Sequence, residues 1–497
     1  MTCPASSPAP RTFALSKWDL ASSFTNIPFI YYFKNNGDVG AAGFMPADTM
    51  RASFLLAVQE FPILAGHLVV NRDGSAHILA DSGNLNMPDY RESSASVHYA
   101  DIERAAFSWD ALPPGVPTVG ALTTAEADGT VRLAHVHIVR LKDDSGLVLF
   151  VSLSHYVVDG VGYCAFVNRW SEICRWMCRG LPAEGLPERS YSFDRMDLAR
   201  NLPPSTADLS GVLRRIYASP NCTGRVLAWM SPGARGATLV AFNALARTKS
   251  HIFHITRSSI AALRKSTHEY AGQAQRISDN DILTALVSHT VAAAMQSNAN
   301  ASWVSRTLSS AARKALRVMA GVSDEFATFL VLDIRPRVKI LARERAAYTG
   351  NCVVCIPIVR PMEQAAPAEV TPATLAETCA RVRAAVDGTD DQTIGALAAA
   401  MDKSAASYAH ILVNGMLYPR KIVLSNQSRF TLYQNDFGAG IPEMVCPLPT
   451  FYANFASVLP AHPSADGYNI YMTLDPNVLE RVTQDDLWNA HTTPLVF

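Results

Sequence analysis

The chain has 497 residues, of which 49% are hydrophobic and 17% are charged. This length exceeds what one hydrophobic core usually serves, and the composition excludes a disordered chain, so we expect at least two folded domains. Basic and acidic residues both number 43, and this neutral balance gives no reason to expect a nucleic-acid partner.

Signals for membrane insertion or secretion are lacking in the sequence. The longest apolar runs have the length of a strand, and residues 1–11 lack the basic-then-apolar pattern of a signal peptide. The nine cysteines are an odd number scattered over a long chain, which is typical of reduced thiols in an intracellular protein. We therefore expect a cytoplasmic protein without a transmembrane segment, and we expect a monomer.

The hydrophobic pattern predicts alternating helices and strands. Apolar residues at helical spacing between Met50 and Phe61 predict an amphipathic helix, which Pro62 ends. Alternation over residues 131–141 predicts a strand with one polar face. The near-continuous apolar run 146–154 predicts a strand buried on both faces, and helical spacing returns directly after it.

The second half of the chain repeats this alternation after an unpatterned segment. Residues 182–238 are rich in Pro, Ser, Gly and Arg, which predicts an interdomain crossover. Ser278 is of a type that caps helices and is followed by two acidic residues in the first turn of a predicted helix. Residues 470–474 alternate again as a strand. The sequence predicts a mixed α/β fold with domains at residues 1–215 and 216–497.

One segment combines features of a catalytic site. His155 follows the predicted buried strand and precedes Asp159 and Gly160 in a turn before the next helix. A side chain at a strand end can project into a cleft from a rigid support. A histidine, with a pKa of about 6.5, can take and return a proton near neutral pH. The alternative is a histidine with a purely structural role, because the His-x-x-x-Asp spacing alone is a weak signal.

Two other groups suggest metal ligands at first sight. His135 and His137 share one face of a predicted strand and could present a metal pair, but we expect no carboxylate neighbour, so we interpret them as packing or cleft-lining residues. Cys352 and Cys355 have a zinc-like spacing but should point to opposite faces of a strand, without a second ligand pair nearby. The sequence therefore predicts no metal site.

The segment around His155 carries a family resemblance. The pattern His155-x-x-x-Asp159-Gly160 resembles the motif shared by BAHD acyltransferases, chloramphenicol acetyltransferases, carnitine acyltransferases and peptide-synthetase condensation domains. What separates the BAHD enzymes is a second motif, Asp-Phe-Gly-Trp-Gly. It is matched here, with alanine in place of tryptophan, by Asp436, Phe437, Gly438, Ala439 and Gly440.

Weaker matches follow in the family order along nearly the whole chain. Residues 15–19 resemble the opening strand, 61–68 the end of the first helix, 277–285 the first helix of the second domain, and 333–337 with Gly350-Asn351 a further paired motif. His67 stands where the family usually has arginine. The chain is longer than the plant enzymes, and its divergent loops are more similar to fungal-type members.

The resemblance implies a fold and a reaction. Two chloramphenicol-acetyltransferase-like α/β domains with mixed sheets, joined by a crossover, should enclose a solvent channel. Acyl-CoA would be the co-substrate and a small molecule the acceptor, with no permanently bound cofactor. His155 would act as general base in a ternary complex, and Ser425 or Asn426 would donate a hydrogen bond to the oxyanion.

The other motif residues should serve the architecture. Asp159, beside Gly160, should turn away from the channel and pair with Arg335, whose family motif usually supplies this partner. The glycine-rich loop should lie away from the reacting atoms, and its residues are Asp436, Phe437, Gly438 and Gly440.

The expected reaction moves an acetyl or longer acyl group to a hydroxyl, in preference to an amine, of an apolar secondary metabolite or a glycolipid. Residues 154–165 contain Asp159 as their one acid and residues 422–434 contain none, so they would not offset the desolvation of a cationic amine. Two alternatives stay open. One is a condensation-type enzyme with a carrier-protein-bound donor, although such enzymes usually have histidine at the position of Ser154. The other is a non-catalytic binding protein on the same fold.

Overall fold

The protein alternates helices and strands, as the hydrophobic pattern predicts. The computed structural model describes residues 10–22, 25–37, 43–71, 75–117, 129–205, 209, 211, 213, 248–270, 276–301, 324–338, 348–403, 420–450 and 454–496. The predicted domain boundary between residues 215 and 216 and much of the predicted crossover lie outside these ranges.

The first half of the chain contains the three elements that the sequence predicts most clearly. The predicted amphipathic helix is α2, the alternating segment is β6, and the apolar run is β7. Up to residue 205 the elements are β1 (Arg11–Ala14), α1 (Lys17–Ala21), β2 (Asn26–Lys34), α2 (Ala47–Glu60), β3 (His67–Val70), β4 (Ala76–Ala80), β5 (Asp89–Ser94), α3 (Tyr99–Arg104), β6 (Ala134–Arg140), β7 (Gly146–Ser154), α4 (Gly160–Cys178) and α5 (Met196–Asn201).

The described part of the second half contains the helix predicted after Ser278, which is α7, and the strand predicted at 470–474, which is β14. From residue 248 onward the elements are β8 (Lys249–Ile255), α6 (Arg257–His268), α7 (Asp279–Ala301), β9 (Glu325–Asp333), β10 (Val353–Pro361), α8 (Met362–Ala365), α9 (Pro372–Asp387), α10 (Asp391–Lys403), β11 (Lys421–Asn426), β12 (Met444–Pro447), β13 (Phe455–Pro460), β14 (Tyr468–Leu474), α11 (Pro476–Thr483), α12 (Asp486–His491) and β15 (Thr493–Val496).

A five-stranded sheet organises the first half, in the order β12-β2-β7-β6-β5. Its middle strand β7 runs antiparallel to both neighbours, and all of its residues are buried, as a strand apolar on both faces requires. Helices α2 and α4 pack together over the same core, where the ring centroids of Phe54 and Trp170 lie 5.2 Å apart. Strands β1, β4 and β3 form a separate three-stranded sheet.

A seven-stranded mixed sheet organises the second half, in the order β10-β9-β11-β13-β14-β8-β15. Strand β11 runs parallel to β9 and β13, and the other neighbours are antiparallel. Helices α7, α9 and α11 cover one core beside this sheet. Within the described ranges, no helix is both long enough and apolar enough to cross a lipid bilayer.

Among the strands that the structure describes, one strand of the second half belongs to the first sheet. Strand β12 pairs antiparallel with β2, Val445 opposite Tyr31. Tyr433, Phe437 and Val445 are buried in the same core as β7 and α4. The segment from about residue 430 to 448 therefore belongs, by its packing, to the first half, because its aromatic side chains are buried against α4.

The expectation of an opening strand over residues 15–19 is wrong. Strand β1 ends at Ala14, and Ser16 caps helix α1. The Ser16 hydroxyl accepts from the Asp19 amide at 3.3 Å, while Asp19 Oδ2 accepts from the Ser16 amide at 2.8 Å. This reciprocal capping box satisfies the free amides of a helix start, so the segment turns into a helix where the resemblance places a strand.

Candidate active site

His155 lies directly beyond the end of β7, the middle strand of its sheet. Its amide donates to the Thr25 carbonyl at 2.9 Å, so pairing continues one residue past Ser154. The chain then turns, with the amides of Val157 and Val158 donating to the Ser154 carbonyl at 3.1 and 3.3 Å, and α4 begins two residues later. A short turn between a buried strand and a 19-residue helix holds the imidazole on rigid support.

One amide side chain holds the His155 ring. Nδ1 of His155 lies 2.8 Å from Oδ1 of Asn351. Because an amide oxygen only accepts hydrogen bonds, Nδ1 carries the proton and Nε2 keeps its lone pair. Burial lowers the pKa of His155 below its ordinary value, although Asn351, Asp159 and Asp19 act in the opposite direction. The ring is therefore uncharged at neutral pH.

Asp159 is turned toward Arg335, as the sequence analysis predicts. The Arg335 guanidinium donates two hydrogen bonds to its carboxylate, at 2.7 and 3.0 Å, and both side chains are buried. The same carboxylate caps α4 by accepting from the amides of Val161 and Gly162, each at 3.1 Å, and it accepts from the Cys352 amide at 3.1 Å. Although burial acts against it, this carboxylate raises the pKa of Arg335.

A loop before β10 closes around the turn that carries His155. The carbonyl of Thr349 lies so close to Gly162 that a Cβ there would be 2.1 Å from its oxygen. The carbonyl of Gly350 accepts from Arg335 at 2.5 Å. On the other side, buried Arg195 donates to the Val157 carbonyl at 2.5 Å and to the Thr349 hydroxyl at 3.2 Å. Close backbone contact and buried guanidinium groups thus fix the loop to the turn.

The glycine-rich motif lies at the other end of α4. Asp436 Oδ1 accepts from the amides of Gly438 and Gly440 at 2.8 and 3.0 Å. Phe437 is fully buried against Trp170, with ring centroids 4.8 Å apart, and its carbonyl accepts from the Cys174 thiol at 3.4 Å. At about 1.5 Å rise per residue, this end lies roughly 20 Å along α4 from its first turn. The motif therefore anchors a helix and is not brought together with His155.

The two predicted oxyanion donors lie at the end of β11. Nδ2 of Asn426 donates to Oδ1 of Asn280 at 2.8 Å, and its Oδ1 accepts from the Ser428 amide at 3.1 Å. The Ser425 hydroxyl accepts from Gln427 at 3.3 Å. One of the two amide protons of Asn426 is thus donated to α7, which fixes the orientation of this side chain, whereas the Ser425 hydroxyl accepts from Gln427 and keeps its proton to donate. The oxyanion role stays a prediction.

His135 and His137 do have an acidic neighbour, so that part of the sequence interpretation is wrong. Asp89 Oδ2 lies 3.6 Å from Nδ1 of His135 and 3.4 Å from Nε2 of His137. The parallel pairing of β5 with β6 places Asp89 opposite His135, which no local sequence pattern reveals. Within the described ranges, no group of three or more His, Cys, Asp or Glu side chains has an arrangement that could hold a metal ion.

Sequence reasoning missed four residues at the site. Asn351 and Asp19 both belong to segments matched by the family resemblance, and that was a usable signal. Arg195 gives no sequence signal, since it lies in the unpatterned segment. The fourth residue is Phe430, four positions after Asn426. Its ring packs against Gly160, where an added Cβ would lie only 2.2 Å from the Phe430 Cζ.

Comparison with known proteins shows which family the chain belongs to. A model of the Transferase family matches residues 1–209 and 242–487. The chain is 23% identical over 492 residues to the hydroxycinnamoyl-CoA:5-hydroxyanthranilate N-hydroxycinnamoyltransferase of Avena sativa, which covers 95% of this chain and 96% of that protein. The chain belongs to the BAHD acyltransferase family.

Solved structures share the fold of this BAHD acyltransferase. TRI101 of F. graminearum, in complex with ethyl coenzyme A, aligns with a TM-score of 0.69 at 14% identity, over 98% of this chain and 100% of that one. Vinorine synthase aligns with a TM-score of 0.56 at 16% identity, over 97% and 93% of the two chains. The predicted two-domain α/β fold with mixed sheets is confirmed.

Removing the cation of the buried pair should destabilise this BAHD enzyme strongly. In Arg335→Ala, the Asp159 carboxylate would stay buried without its charged partner, and we expect the free energy of unfolding to fall by about 3–5 kcal/mol. The matched control is Arg381→Ala, which removes half of an exposed helix pair with Glu377, worth about 0.3–0.5 kcal/mol. Urea denaturation measures both variants, and equal losses would contradict the role given to the pair.

The two glycines at the start of α4 should respond differently to alanine. In Gly162→Ala the new Cβ meets the Thr349 carbonyl, a main-chain atom that cannot move without the loop, whereas in Gly160→Ala it meets the end of the Phe430 ring. We expect Gly162→Ala to lower stability by about 1–3 kcal/mol, as overpacking usually does, and to lower turnover. Gly160→Ala should cost less stability. Thermal unfolding and turnover are the measurements, and the reverse order would refute the close contact.

Proposed function

We propose that the protein transfers an acyl group from acyl-CoA to the hydroxyl of an apolar small molecule, with His155 as general base. The observation that carries the proposal is the hydrogen bond from Nδ1 of His155 to Asn351, which leaves the Nε2 lone pair unprotonated. A neutral, partly buried imidazole on a rigid turn is suited to accept a proton from an acceptor at neutral pH.

The chemistry follows from this single base. Nε2 of His155 takes the proton of the acceptor hydroxyl as its oxygen attacks the thioester carbonyl carbon. The carbonyl oxygen becomes an oxyanion, and the C–S bond then breaks as the tetrahedral intermediate collapses. The imidazolium returns its proton to the CoA sulfur. Both substrates are bound together, so their orientation contributes to the rate along with base catalysis, which supplies about 10²–10⁴-fold.

The reacting groups would meet between the two proposed domains, residues 1–215 and 216–497. His155 and Asp159 come from the first, and Arg335 and Asn351 from the second, so a channel along this boundary would reach Nε2. We propose Ser425 as the oxyanion donor in preference to Asn426, because the Asn426 side chain is held at both ends, by Asn280 and by the Ser428 amide. Loss of one such donor typically costs about 10²–10³-fold.

The polar groups around the turn favour an uncharged acceptor. Asp159 is saturated by Arg335 and by main-chain amides. Asp19, the second carboxylate of this region, is fully buried and holds Ser16 and Asn351. Neither carboxylate is available to a cationic amine, whose desolvation would then be uncompensated. An apolar alcohol, such as a secondary metabolite or a glycolipid, needs no such partner.

A second candidate acceptor is an aromatic amine. The relative from Avena sativa is named as an N-hydroxycinnamoyltransferase acting on 5-hydroxyanthranilate. The amino group of an aromatic amine is unprotonated at neutral pH, so it needs no carboxylate partner beside His155. His155 would then take its proton from the attacking nitrogen.

A thiol-release assay tests these assignments. Acetyl-CoA, a longer-chain acyl-CoA and a hydroxycinnamoyl-CoA are each offered with a terpenoid alcohol, a glycolipid, 5-hydroxyanthranilate and spermidine. We expect acceptor-dependent release of CoA with one of the first three acceptors. Higher kcat/KM for spermidine than for every other acceptor would refute the acceptor argument. Turnover with carrier-protein-bound acyl donors alone would favour a condensation-type enzyme, and no release with any pair would favour a binding protein.

Removal of the base should abolish nearly all turnover. We expect His155→Ala to lower kcat by about 10²–10⁴-fold, the usual contribution of a general base, with an unchanged circular dichroism spectrum. The matched control is His254→Ala, because Nδ1 of His254 also bonds an asparagine, Asn469, at 2.9 Å, but this histidine lies in the seven-stranded sheet. A folded His155→Ala protein with substantial turnover, or equal losses in the two variants, would contradict the assignment.

The pH dependence of the reaction should follow the protonation of His155. Catalysis needs the neutral ring, and burial lowers the pKa of this ring. Activity should therefore be full above the ordinary histidine value of about 6.5 and fall only at lower pH. The profile of kcat/KM reports this group in the free enzyme. An acidic limb with its midpoint above 6.5 would show that another group, or a differently buried histidine, controls the reaction.

A further inference from the structure

The orientation of the Asn351 amide is set by its surroundings. Nδ2 donates to Oδ1 of Asp19 at 2.8 Å and to the His155 carbonyl at 2.7 Å. Both of these atoms only accept hydrogen bonds. If the amide were flipped, its oxygen would face two acceptors and could bond neither of them. Oδ1 of Asn351 must then face Nδ1 of His155, at 2.8 Å. The two acceptors that bind Nδ2 of Asn351 thus fix the amide orientation, and this orientation requires the proton on Nδ1 of His155.

We propose that Asn351 and Asp19 are positioning residues that keep His155 in the tautomer able to act as a base. This inference rests on the proposed function of His155 and adds two residues to it. A free histidine side chain in water favours the tautomer protonated at Nε2. In that tautomer Nε2 has no lone pair with which to take the proton of the acceptor. The hydrogen bond to Asn351 reverses this preference, so that Nε2 stays the basic nitrogen.

The arrangement differs from a triad in which a carboxylate touches the imidazole. A direct carboxylate stabilises the protonated ring strongly, whereas here a neutral amide lies between the ring and the charge of Asp19. The amide fixes the tautomer without forcing the ring to be charged at rest. When the ring takes the acceptor proton, Asp19 still favours the imidazolium, because its charge acts through the low-dielectric interior.

Hydrogen bonds from Ser16 and Asn351 hold the Asp19 carboxylate in place. It is fully buried and accepts four hydrogen bonds, from the Ser16 amide at 2.8 Å, the Ser16 hydroxyl at 2.7 Å, the Asn351 amide at 3.1 Å and the Asn351 side chain at 2.8 Å. Within the described part of the chain it forms no ion pair. A buried carboxylate without a cation is costly unless donors surround it, and these four donors supply that compensation while leaving the charge unneutralised.

The tautomer can be measured without knowing the acceptor. In protein carrying ¹⁵N-labelled histidine, long-range ¹H–¹⁵N spectra distinguish Nδ1–H from Nε2–H rings and follow protonation with pH. The His155 signal is assigned by its loss in His155→Gln. We expect the wild-type ring to be Nδ1–H. In Asn351→Ala the Nε2–H form should become populated. A wild-type Nε2–H ring, or an unchanged Nδ1–H ring in Asn351→Ala, would overturn the inference.

Two further variants separate the charge of Asp19 from its structural contacts. Asp19→Asn can still accept from Asn351, so the Nδ1–H form should persist, but the midpoint of the His155 titration should fall by about half a pH unit or more. The matched control Ser16→Ala loosens the start of α1 and keeps the charge, so thermal stability should fall and the titration midpoint should not. An equal shift in both variants, or none in Asp19→Asn, would refute the role of the charge.

Kinetics complete the test once an acceptor is known. Asn351→Ala should lower kcat by about 10-fold or more, but less than loss of the base, with little change in KM for acyl-CoA. If His155→Ala is inactive while Asn351→Ala has wild-type kcat, the inference about positioning fails and the proposed function stands. If His155→Ala is active, the proposed function fails, and the tautomer measurement still reports on Asn351.

Discussion

The buried carboxylate of Asp159 is the group on which the arrangement of the site depends. A charge removed from water must be surrounded by donors, and here they come from three places: the first turn of α4, the guanidinium of Arg335, and the amide of Cys352. Only the first belongs to the same segment of chain. Satisfying this one carboxylate therefore requires the two halves of the protein to meet at the turn that carries His155.

The meeting of the two halves sets the surroundings of the His155 imidazole. The loop that brings Cys352 to Asp159 also brings Asn351 to the imidazole, and contact with Gly162 leaves the loop little freedom. Burial keeps the ring neutral. The glycine-rich motif acts at the opposite end of α4, where Phe437 is packed into the core. Both signature motifs of the family thus serve the same helix, one at its start beside His155 and one as an anchor at its other end.

Where the sequence misled, the cause was a contact made between distant segments or a competing local interaction. A helix begins within residues 15–19 because the Ser16 and Asp19 side chains each accept a hydrogen bond from the other residue's main-chain amide. The family resemblance predicted a strand here and took no account of this capping. Asp89 faces His135 because β5 pairs with β6. A polar face looks unpaired when only its own strand is considered, since the neighbouring strand comes from elsewhere in the chain.

By itself the sequence determined the buried strand β7, the turn with His155 at its end, the family, and the α/β class, because these depend on local hydrophobic period and on short motifs. The tertiary structure alone decided how the His155 imidazole is held. Asn351 lies 196 residues from His155 and 332 from Asp19, and no spacing rule joins them. Hydrogen bonds between such segments are fixed by sheet register and by how the two halves pack, and those are properties of the whole fold.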